Sequence, residues 1–360
     1  MTTAQAPAGS FQVTVQPSGR AFGVNPDEAI LPAAIRQGIG MPYGCKDGAC
    51  GSCKCKKLEG IVVHGPHQSK ALSAEEEAAG YILTCCGVPQ TDVVIESRQV
   101  TDESAFPIRK MPSRVMSLEK KSPDVMVVKL QLPANDTMRY HAGQYVEFIL
   151  RDGARRSYSM ANAPHTMVKA DAAVPGAPAI ELHIRHMPGG KFTDHVFTAM
   201  KEKEILRVEG PYGSFYLRED SDKPMVLLAS GTGFAPIKAV MEHMQFKGIT
   251  RPTTLYWGGR RPADLYLDDW VKQKLAEMPN LKYVPVISNA LPEDNWTGRT
   301  GFVHKAVLED FPDLSGYQVY ACGAPIVVDS ARTEYSAIAN LPPDEFHADA
   351  FTTEADKHKD

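Results

Sequence analysis

The chain has 360 residues, of which 43% are hydrophobic and 23% are charged, and its formal net charge at pH 7 is −4. Such a composition is typical of a globular protein with two or three domains, each able to bury its own core. The slightly acidic balance gives no electrostatic reason to bind nucleic acid or an anionic membrane, so we expect neither as a partner.

The sequence also bears on where the protein works. Residues 1–10 are small and polar, and they lack the cationic start and apolar core of a secretory signal. No apolar run approaches the ~20 residues that a membrane-spanning helix needs. Four of the seven cysteines fall into one spaced set, which indicates a reducing compartment rather than a disulfide scaffold. We therefore expect a cytoplasmic protein.

The first elements along the chain predict a small α+β domain over residues 10–100. Residues 11–24 alternate apolar and polar side chains around a Pro-Ser-Gly turn, as the two strands of a hairpin do. The sequence Asn-Pro-Asp-Glu at 25–28 is typical of a helix start, and the helical pattern of 29–37 is closed by Gly38. A further strand is predicted at 92–97.

Between that helix and that strand lies the most informative motif, in which cysteines are spaced C-x4-C-x2-C and a fourth follows 31 residues later. Four thiolates in this plant-type pattern hold a [2Fe–2S] cluster. Interleaved glycines let such a loop wrap closely and point N–H groups at sulfur. The predicted ligands are Cys45, Cys50, Cys53 and Cys85, and the glycines are Gly44, Gly48 and Gly51.

A zinc site is the alternative, because a C-x2-C pair with further cysteines also binds zinc tetrahedrally. The x4 and x2 spacings with interleaved glycines favour the cluster. Cys85 is assigned as the fourth ligand because its spacing matches, and the adjacent Cys86 is interpreted as a neighbouring thiol. Cys55 lies outside the pattern and is expected to be a small buried side chain.

The character of the chain changes after the first domain. Residues 101–112 are mixed and polar, with Pro107 and Pro112, and predict a linker. Within 113–220, residues 166–178 carry few structural signals and are predicted to form an exposed loop. The rest of that range predicts an antiparallel β-barrel from short alternating runs between turn clusters, namely VMVVKLQL, QYVEFIL, AIELHIRH and ILRVEG.

Two segments of the barrel carry residues suited to a flavin nucleotide. In the first, Arg156 can pair with a phosphate, Tyr158 offers a flat face to an isoalloxazine ring, and Ser159 can hydrogen-bond the reactive flavin nitrogen. In the second, Arg185 precedes the run Gly-Gly-Lys-Phe-Thr at 189–193, where a turn opens a helix and presents N–H groups to an anion. A purely structural role for both segments is the alternative.

From 221 to 355 strands alternate with helices, which predicts an α/β domain with a doubly wound parallel sheet. A buried strand at 225–229 meets Gly-Thr-Gly at 231–233 and a helix predicted at 236–246, the context of a dinucleotide pyrophosphate site. Cys-Gly-Ala-Pro at 322–325 ends another strand at the same sheet edge. An ordinary glycine turn and an inert buried thiol are the alternatives. Further strands are predicted at 253–257, 282–287 and 317–321.

In this order the three motif sets resemble the flavin-dependent NAD(P)H reductases of ferredoxin–NADP reductase type that carry an N-terminal plant-type ferredoxin. The resemblance covers residues 11–352. Segments such as MPYGCKDGACGSCK, RRSYSMANAP and LLASGTGFAPIKAV are most similar to CDP-6-deoxy-Δ3,4-glucoseen reductase-like proteins. The resemblance implies a β-grasp [2Fe–2S] ferredoxin domain, a FAD-binding β-barrel and an NAD(P)H-binding α/β domain.

The same resemblance implies a role for each matching position. The flavin would be bound by Arg156, Tyr158, Ser159 and Arg185, with Gly190 and Thr193 on its pyrophosphate. The nicotinamide dinucleotide would be held by Gly231, Thr232, Gly233, Pro236 and Gly323, with Cys322 beside the nicotinamide. An aromatic residue near the C-terminus would lie against the flavin. Phe351 takes that place, two residues after Asp349, where the family commonly has glutamate.

The activity implied is electron transfer from NADH or NADPH through FAD and the cluster to a separate acceptor protein. Because a hydride carries two electrons and the cluster accepts one, a flavin must stand between them. The expected acceptor is a dehydrase. Alternatively, the chain is the reductase component of an aromatic ring-hydroxylating dioxygenase or a multicomponent monooxygenase, or a non-enzymatic ferredoxin-like electron-carrier module. NADH is favoured, although Arg260 and Arg261 can either meet a 2′-phosphate or remain solvated.

Overall fold

The computed structural model describes residues 10–97, 100, 106–134, 138–167 and 177–353. The chain divides into two compact units. One contains residues 1–106 together with 350–360, and the other contains Pro107–Asp349. Within the described residues, no helix is both long enough and apolar enough to cross a bilayer.

The first unit is a β-grasp domain built on a five-stranded sheet in the order β2-β1-β7-β3-β5, beside a two-stranded sheet of β4 and β6. Alternate residues of β1 are fully buried, and the buried face of α1 lies close to β2. The predicted hairpin, helix and closing strand are confirmed. The elements are β1 (Phe11–Gln16), β2 (Arg20–Val24), α1 (Ile30–Arg36), β3 (Lys54–Glu59), β4 (Val62–His64), α2 (Ala74–Ala78), β5 (Tyr81–Leu83), β6 (Gly87–Pro89) and β7 (Val93–Glu96).

The second unit begins with the predicted antiparallel barrel, whose strands follow the order β11-β10-β13-β8-β9-β12. An antiparallel bridge between Met160 and Leu182 joins the two ends of this order, so the sheet closes on itself. Its core is aliphatic and aromatic, as the alternating runs predict. The elements are β8 (Arg109–Ser122), β9 (Val125–Gln131), β10 (Tyr145–Ile149), β11 (Arg155–Ser159), β12 (Ala179–Arg185), α3 (Lys191–Thr198) and β13 (Ile205–Tyr212).

Two details of the barrel differ from the sequence prediction. Strand β8 begins at Arg109, so residues 109–112 pair with β13 instead of forming the end of a linker. Pro112 is tolerated there because β9 pairs with β8 only from Arg114 onward, which leaves one side of Pro112 unpaired. Of the predicted exposed loop, 168–176 lies outside the described residues, whereas Met167 and Ala177 at its two ends are buried.

The second unit continues with a six-stranded sheet in the order β17-β16-β15-β14-β18-β19, in which β14 to β18 pair in parallel. The predicted strands and helix are confirmed, and the helix begins two residues earlier, at Phe234. The elements are β14 (Met225–Ser230), α4 (Phe234–Lys247), β15 (Thr253–Gly259), α5 (Asp268–Glu277), β16 (Leu281–Ile287), β17 (Arg299–Thr300), α6 (Val303–Asp310), β18 (Gln318–Gly323), α7 (Pro325–Ile338) and β19 (Phe346–Ala350).

The register of this sheet positions the two predicted dinucleotide turns. Ala229 of β14 lies directly opposite Cys322 of β18 in a parallel pair. The turn after each strand therefore emerges at the same carboxyl edge of the sheet, where open α/β folds bind ligands.

Candidate functional site

The four predicted ligand thiols are arranged as two pairs within the β-grasp unit. The backbone N–H of Cys45 points at the sulfur of Cys50, 3.3 Å away. A hydrogen bond between these two thiols, followed by burial, raises the pKa of Cys45, and the same bond lowers the pKa of Cys50 to about 6. Cys53 and Cys85 form the second hydrogen-bonded thiol pair. Two thiols for each of two irons is the donor set that a [2Fe–2S] cluster takes.

The loop that carries the first three thiols needs glycine at Gly48. Its φ of +77° lies in the left-handed region, and a Cβ there would be 2.8 Å from the Cβ of His67. The loop backbone therefore runs close beneath the segment that contains His67. This close wrapping is what the interleaved glycines predict for a loop around an inorganic cluster.

The structure also bears on the choice between the adjacent thiols Cys85 and Cys86. The hydrogen bond with Cys53 lowers the pKa of Cys85, but contact with Cys86 and burial outweigh it and raise that pKa to about 12. Cys86 is half-buried and hydrogen-bonds only to Cys85 among the thiols of the described chain. Cys55 is buried on β3, as expected.

The grouping of the thiols also bears on the alternative of a single zinc ion. Among the residues that the structure describes, no three histidine, cysteine, aspartate or glutamate side chains are gathered as the ligands of one metal ion. A tetrahedral zinc site would require all four thiols around one centre. The paired geometry therefore favours the two-iron cluster over zinc.

The predicted flavin residues lie on β11, at one end of the barrel sheet. Tyr158 is partly buried, with its ring tilted against Phe192 and edge-on to Phe148. Arg156 is half-exposed and its guanidinium donates to the backbone carbonyl of Arg155, 2.7 Å away. Ser159, at the end of the strand, is buried.

The turn at 189–190 opens helix α3 as predicted, but Thr193 does not offer its hydroxyl to a ligand. That hydroxyl donates to the carbonyl of Met187 at 2.9 Å and accepts from the N–H of the same residue at 3.2 Å. A Cβ on Gly190 would contact both Thr193 and Met187, so the turn requires glycine. The first N–H groups of α3 have no partner among the described residues, and they are the groups available to an anion.

The dinucleotide turn joins β14 to α4 through a single 3₁₀ turn, Gly231–Gly233. Gly231 has a φ of +54°, and its carbonyl accepts a hydrogen bond from the indole N–H of Trp257 at 3.0 Å. Thr232 is buried, and Pro236 lies in the first turn of α4, where its missing N–H costs no helical hydrogen bond.

The two strand-end turns touch backbone to backbone. A Cβ on Gly233 would overlap the carbonyl oxygen of Cys322, and a Cβ on Gly323 would overlap that of Ser230. Gly323 also has a φ of +124°, which L side chains rarely adopt. Only glycine at these two positions allows β14 and β18 to end side by side.

At this sheet edge the structure brings together residues that are far apart in the sequence. The hydroxyl of Ser159 lies 3.5 Å from a carboxylate oxygen of Asp349, and both side chains are buried. Burial, and then the charge of Asp349, raise the pKa of Cys322, so that thiol is protonated at neutral pH. Arg185 donates to Asp124 at 3.0 Å, and its guanidinium lies 3.7 Å from where a Cβ of Gly231 would be.

Not every predicted site residue joins this group. Phe351 is half-buried and belongs by its contacts to the first unit, as the cluster cysteines do. A cavity of about 980 Å³ lies on the barrel beside α3. Of the run at 189–193, only Lys191 and Phe192 line it. None of the predicted flavin or dinucleotide residues lines that cavity.

Sequence reasoning missed a set of charged residues at the junction of the barrel and the α/β domain. They are Glu181 and His183 on β12 and Lys238 and Glu242 on α4, and they are in mutual contact. Lys238 stands in the otherwise apolar run FAPIKAVM, and a lone charge on the buried face of a helix is the signal that would have found it.

Comparison with protein-family models agrees with the three predicted modules. A 2Fe-2S iron-sulfur cluster binding domain matches residues 13–90, an oxidoreductase FAD-binding domain matches 112–216, and an oxidoreductase NAD-binding domain matches 227–333. The chain is also 39% identical to the CDP-6-deoxy-L-threo-D-glycero-4-hexulose-3-dehydrase reductase of Yersinia pseudotuberculosis, over 95% of this chain and 98% of the relative. This chain belongs to the iron–sulfur flavoprotein reductases.

Other relatives of this reductase serve oxygenases. It is 34% identical to reductase component 2 of the terephthalate 1,2-dioxygenase of a Comamonas species, over 96% of this chain and 98% of the relative. It matches the crystal structure of the Amycolatopsis cytochrome P450 reductase GcoB with a TM-score of 0.74 and 33% identity, covering 95% of this chain and 99% of that one.

The predicted family, fold class and cofactors are therefore confirmed. The reductase is an NAD(P)H-dependent oxidoreductase that uses FAD and a [2Fe–2S] cluster. The electron-carrier alternative is set aside, because the match extends through both nucleotide-binding domains.

The thiol pairing predicts different outcomes for two neighbouring substitutions. We expect Cys85→Ser to abolish the cluster, because it removes the partner of Cys53. Cys86→Ser is expected to keep the cluster, because it removes a thiol that lies outside the two pairs. Iron and acid-labile sulfide per chain, together with the visible absorption of the cluster, measure both variants. The opposite pattern would move the ligand by one residue.

Proposed function

We propose that this reductase takes a hydride from NADH onto FAD and delivers the electrons singly, through its cluster, to a separate acceptor protein. The observation that supports this most strongly is the meeting of Ser159, Cys322 and Asp349 beside the Gly231–Gly233 turn. Residues of the flavin strand and of the dinucleotide turns thus share one sheet edge within a single compact unit. When bound, the cofactors supply transfer of a hydride to the flavin and release of its two electrons one at a time.

The reductase's own residues hold and orient these groups. Arg156 and the free N–H groups at the start of α3 would bind the flavin pyrophosphate, and Tyr158 would pack beside the ring. The Ser159 hydroxyl, which lies 3.5 Å from Asp349, would donate a hydrogen bond to the flavin when that group is bound. Cys322 stays neutral because it is buried, and it provides a small, water-free surface beside the nicotinamide. We also propose that Phe351 lies against the flavin, as the resemblance implies.

The carboxylates that pair with Arg260 and Arg261 favour NADH over NADPH. Asp294 pairs with Arg261 through two hydrogen bonds of 2.7 Å each, and Asp264 accepts from the backbone and side chain of Arg260. Both arginines that can meet a 2′-phosphate are therefore already paired with carboxylates. An acidic residue at such a strand end hydrogen-bonds the ribose 2′-hydroxyl of NAD, whereas NADP needs a free arginine.

The acceptor is a protein of one of two classes. A relative named as a dehydrase reductase and relatives named as dioxygenase reductase components both align with nearly the whole chain. The identity to the dehydrase reductase is the higher of the two, 39% against 34%. A dehydrase acting on a nucleotide-linked sugar is therefore the proposed acceptor, and an oxygenase is the second candidate.

We further propose the limits of the three modules and their cellular location. The ferredoxin domain spans 10–100, the barrel begins at 109 and runs to 220, and the α/β domain spans 221–355. The linker thus shortens to 101–108, because β8 begins at Arg109. Cysteines held as thiols and thiolates fit a reducing cytoplasm.

The proposal predicts the course of an anaerobic reaction with NADH. The purified reductase, supplied with FAD, iron and sulfide, should lose its flavin absorption on mixing with NADH. The paramagnetic signal of a reduced [2Fe–2S] cluster should develop afterwards. A flavin that stays oxidised, or a cluster that is reduced before the flavin, contradicts the proposed order.

Substitution of Ser159 tests the role of its hydroxyl. We expect Ser159→Ala to slow flavin reduction by NADH about tenfold or more, because the variant loses a hydrogen bond to the reacting ring. Cluster absorption should not change. Ser157→Ala, an exposed position on the same strand, is the matched control and should react as the wild type does. Equal rates in all three proteins, measured by stopped-flow absorbance, would remove Ser159 from this role.

Nucleotide preference is tested at Asp294. We expect Asp294→Ala to raise kcat/KM for NADPH relative to NADH about fivefold or more, because it frees the Arg261 guanidinium for a 2′-phosphate. Glu293→Ala is the matched control, since its carboxylate lies 3.8 Å from Arg261 and is largely exposed. An unchanged ratio in Asp294→Ala would show that Arg261 does not face the 2′ position.

A further inference from the structure

The junction of the barrel and the α/β domain contains a buried ammonium group that the electron path described above does not use. Lys238 lies on α4, five residues after Gly233 of the dinucleotide turn, and only 6% of it is exposed. Moving a charged group out of water costs several kcal/mol unless it is paired and hydrogen-bonded. Its contacts therefore indicate what the position is for.

Lys238 binds residues of both domains at once. Its Nζ donates to the carbonyl of Ala161 at 3.0 Å and to Glu242 at 2.7 Å, and it lies 3.2 Å from a carboxylate oxygen of Glu181. It also lies 5.2 Å above the ring of Trp270 on α5. Ala161 and Glu181 belong to the barrel, and Glu242 and Trp270 belong to the α/β domain.

Glu242 makes a second bond across the same junction. Its other carboxylate oxygen accepts from the N–H of Ala163 at 2.9 Å. The segment 160–163, which follows Ser159 directly, is thus held at a carbonyl and at an N–H by two side chains one helical turn apart on α4. Helix α4 begins at the dinucleotide turn. Lys238 and Glu242 therefore connect the helix of that turn to the end of the flavin strand.

The surrounding groups keep this connection charged. Burial opposes ionisation of Glu181, but the hydrogen bond from His183 and the charge of Lys238 outweigh it and lower the pKa of that carboxyl. Burial likewise disfavours the ammonium, but the charges of Glu181 and Glu242 raise the pKa of Lys238. Burial lowers the pKa of His183, whose ring bridges Glu181 at 3.0 Å and the hydroxyl of Tyr266 at 2.8 Å.

We propose that Lys238 is a positioning residue for hydride transfer. Together with Glu242, it ties segment 160–163, which follows the flavin strand, to the helix of the dinucleotide turn. Hydride transfer needs the reacting atoms about 3–3.5 Å apart, and a displacement of about 1 Å can cost about a hundredfold in rate. The inference rests on the proposed function, because it assigns those atoms to the two turns.

The chemistry of the junction argues for geometry rather than stability as the purpose. Replacing a buried ion cluster by apolar side chains of similar volume often leaves stability unchanged or improved. Hydrogen bonds to a carbonyl and an N–H, in contrast, have directions, so they fix the relative placement of strand and helix where apolar packing would allow sliding.

The test uses the holoenzyme with two variants and one control. Lys238→Met keeps the length of the side chain but removes the charge and its hydrogen bonds. Lys238→Met combined with Glu242→Gln also removes one negative charge, so the buried charge balance is restored if the single variant folds poorly. Lys274→Met is the control, because that lysine also lies over the Trp270 ring, at 5.5 Å, and pairs with Glu277 on its own helix.

We expect both Lys238 variants to slow flavin reduction at saturating NADH at least tenfold. Their FAD content should equal that of the wild type, and the NADH concentration for half-maximal rate should stay within about threefold. Hydrogen–deuterium exchange should be faster in segment 160–163 and unchanged in β14. The Lys274 control should match the wild type in every measurement.

Each other result overturns the inference. Reduction within twofold of the wild type in the double variant would show that the bond from Lys238 to Ala161 does not set the geometry. Slow reduction accompanied by loss of FAD or by unchanged exchange in that segment would make Lys238 a residue of folding alone. Failure of the wild type itself to be reduced by NADH would instead contradict the proposed function.

Discussion

The placement of the flavin strand against the dinucleotide helix depends on a few hydrogen bonds around one buried ammonium. Lys238 and Glu242 reach from α4 to the backbone of residues 161 and 163, and Glu181 balances the charge from the barrel side. Charge-assisted hydrogen bonds to backbone groups are short and directional. The consequence is a defined distance between the two elements to which we assign the two halves of a hydride-transfer site.

Close backbone packing at the sheet edge adds a second constraint. Because Gly233 and Gly323 have no Cβ, the turns after β14 and β18 lie against each other's carbonyl groups. This brings Cys322 next to the dinucleotide turn and places Asp349, on the neighbouring β19, within reach of Ser159. Side chains from two strands of this sheet and one barrel strand thus converge although they are far apart in the sequence.

The cluster domain follows a different logic. Three of its four predicted ligand thiols lie on a loop in which Gly48 passes beneath a neighbouring segment, and Cys85, after β5, completes the second pair. Covalent attachment to the flavin-binding unit raises the effective concentration of one redox centre for the other. A chain that divides the electron pair of a hydride into single electrons gains from having all three modules on one polypeptide, because transfer between flavin and cluster then needs no diffusing carrier.

Local patterns were enough for most of the fold. Alternation predicted the barrel strands, and apolar runs ending in glycine predicted β14 and β18, since both signals come from neighbours along the chain. Pro112 misled the prediction of where the barrel begins, because whether a proline is tolerated in a strand depends on which side is paired. Thr193 stays a predicted pyrophosphate residue, and only the packing of its turn shows that its hydroxyl is bonded to Met187.

By itself the sequence determined the cofactors, since cysteine spacing and glycine turns reflect local backbone demands that a cluster or a pyrophosphate imposes. It could not determine that Lys238 hydrogen-bonds Ala161, that Asp294 pairs with Arg261, or that Asp349 lies beside Ser159. Those contacts join residues 33 to 190 positions apart. Only the packing of a closed barrel against a parallel sheet decides which of many possible charge partners come within hydrogen-bonding distance.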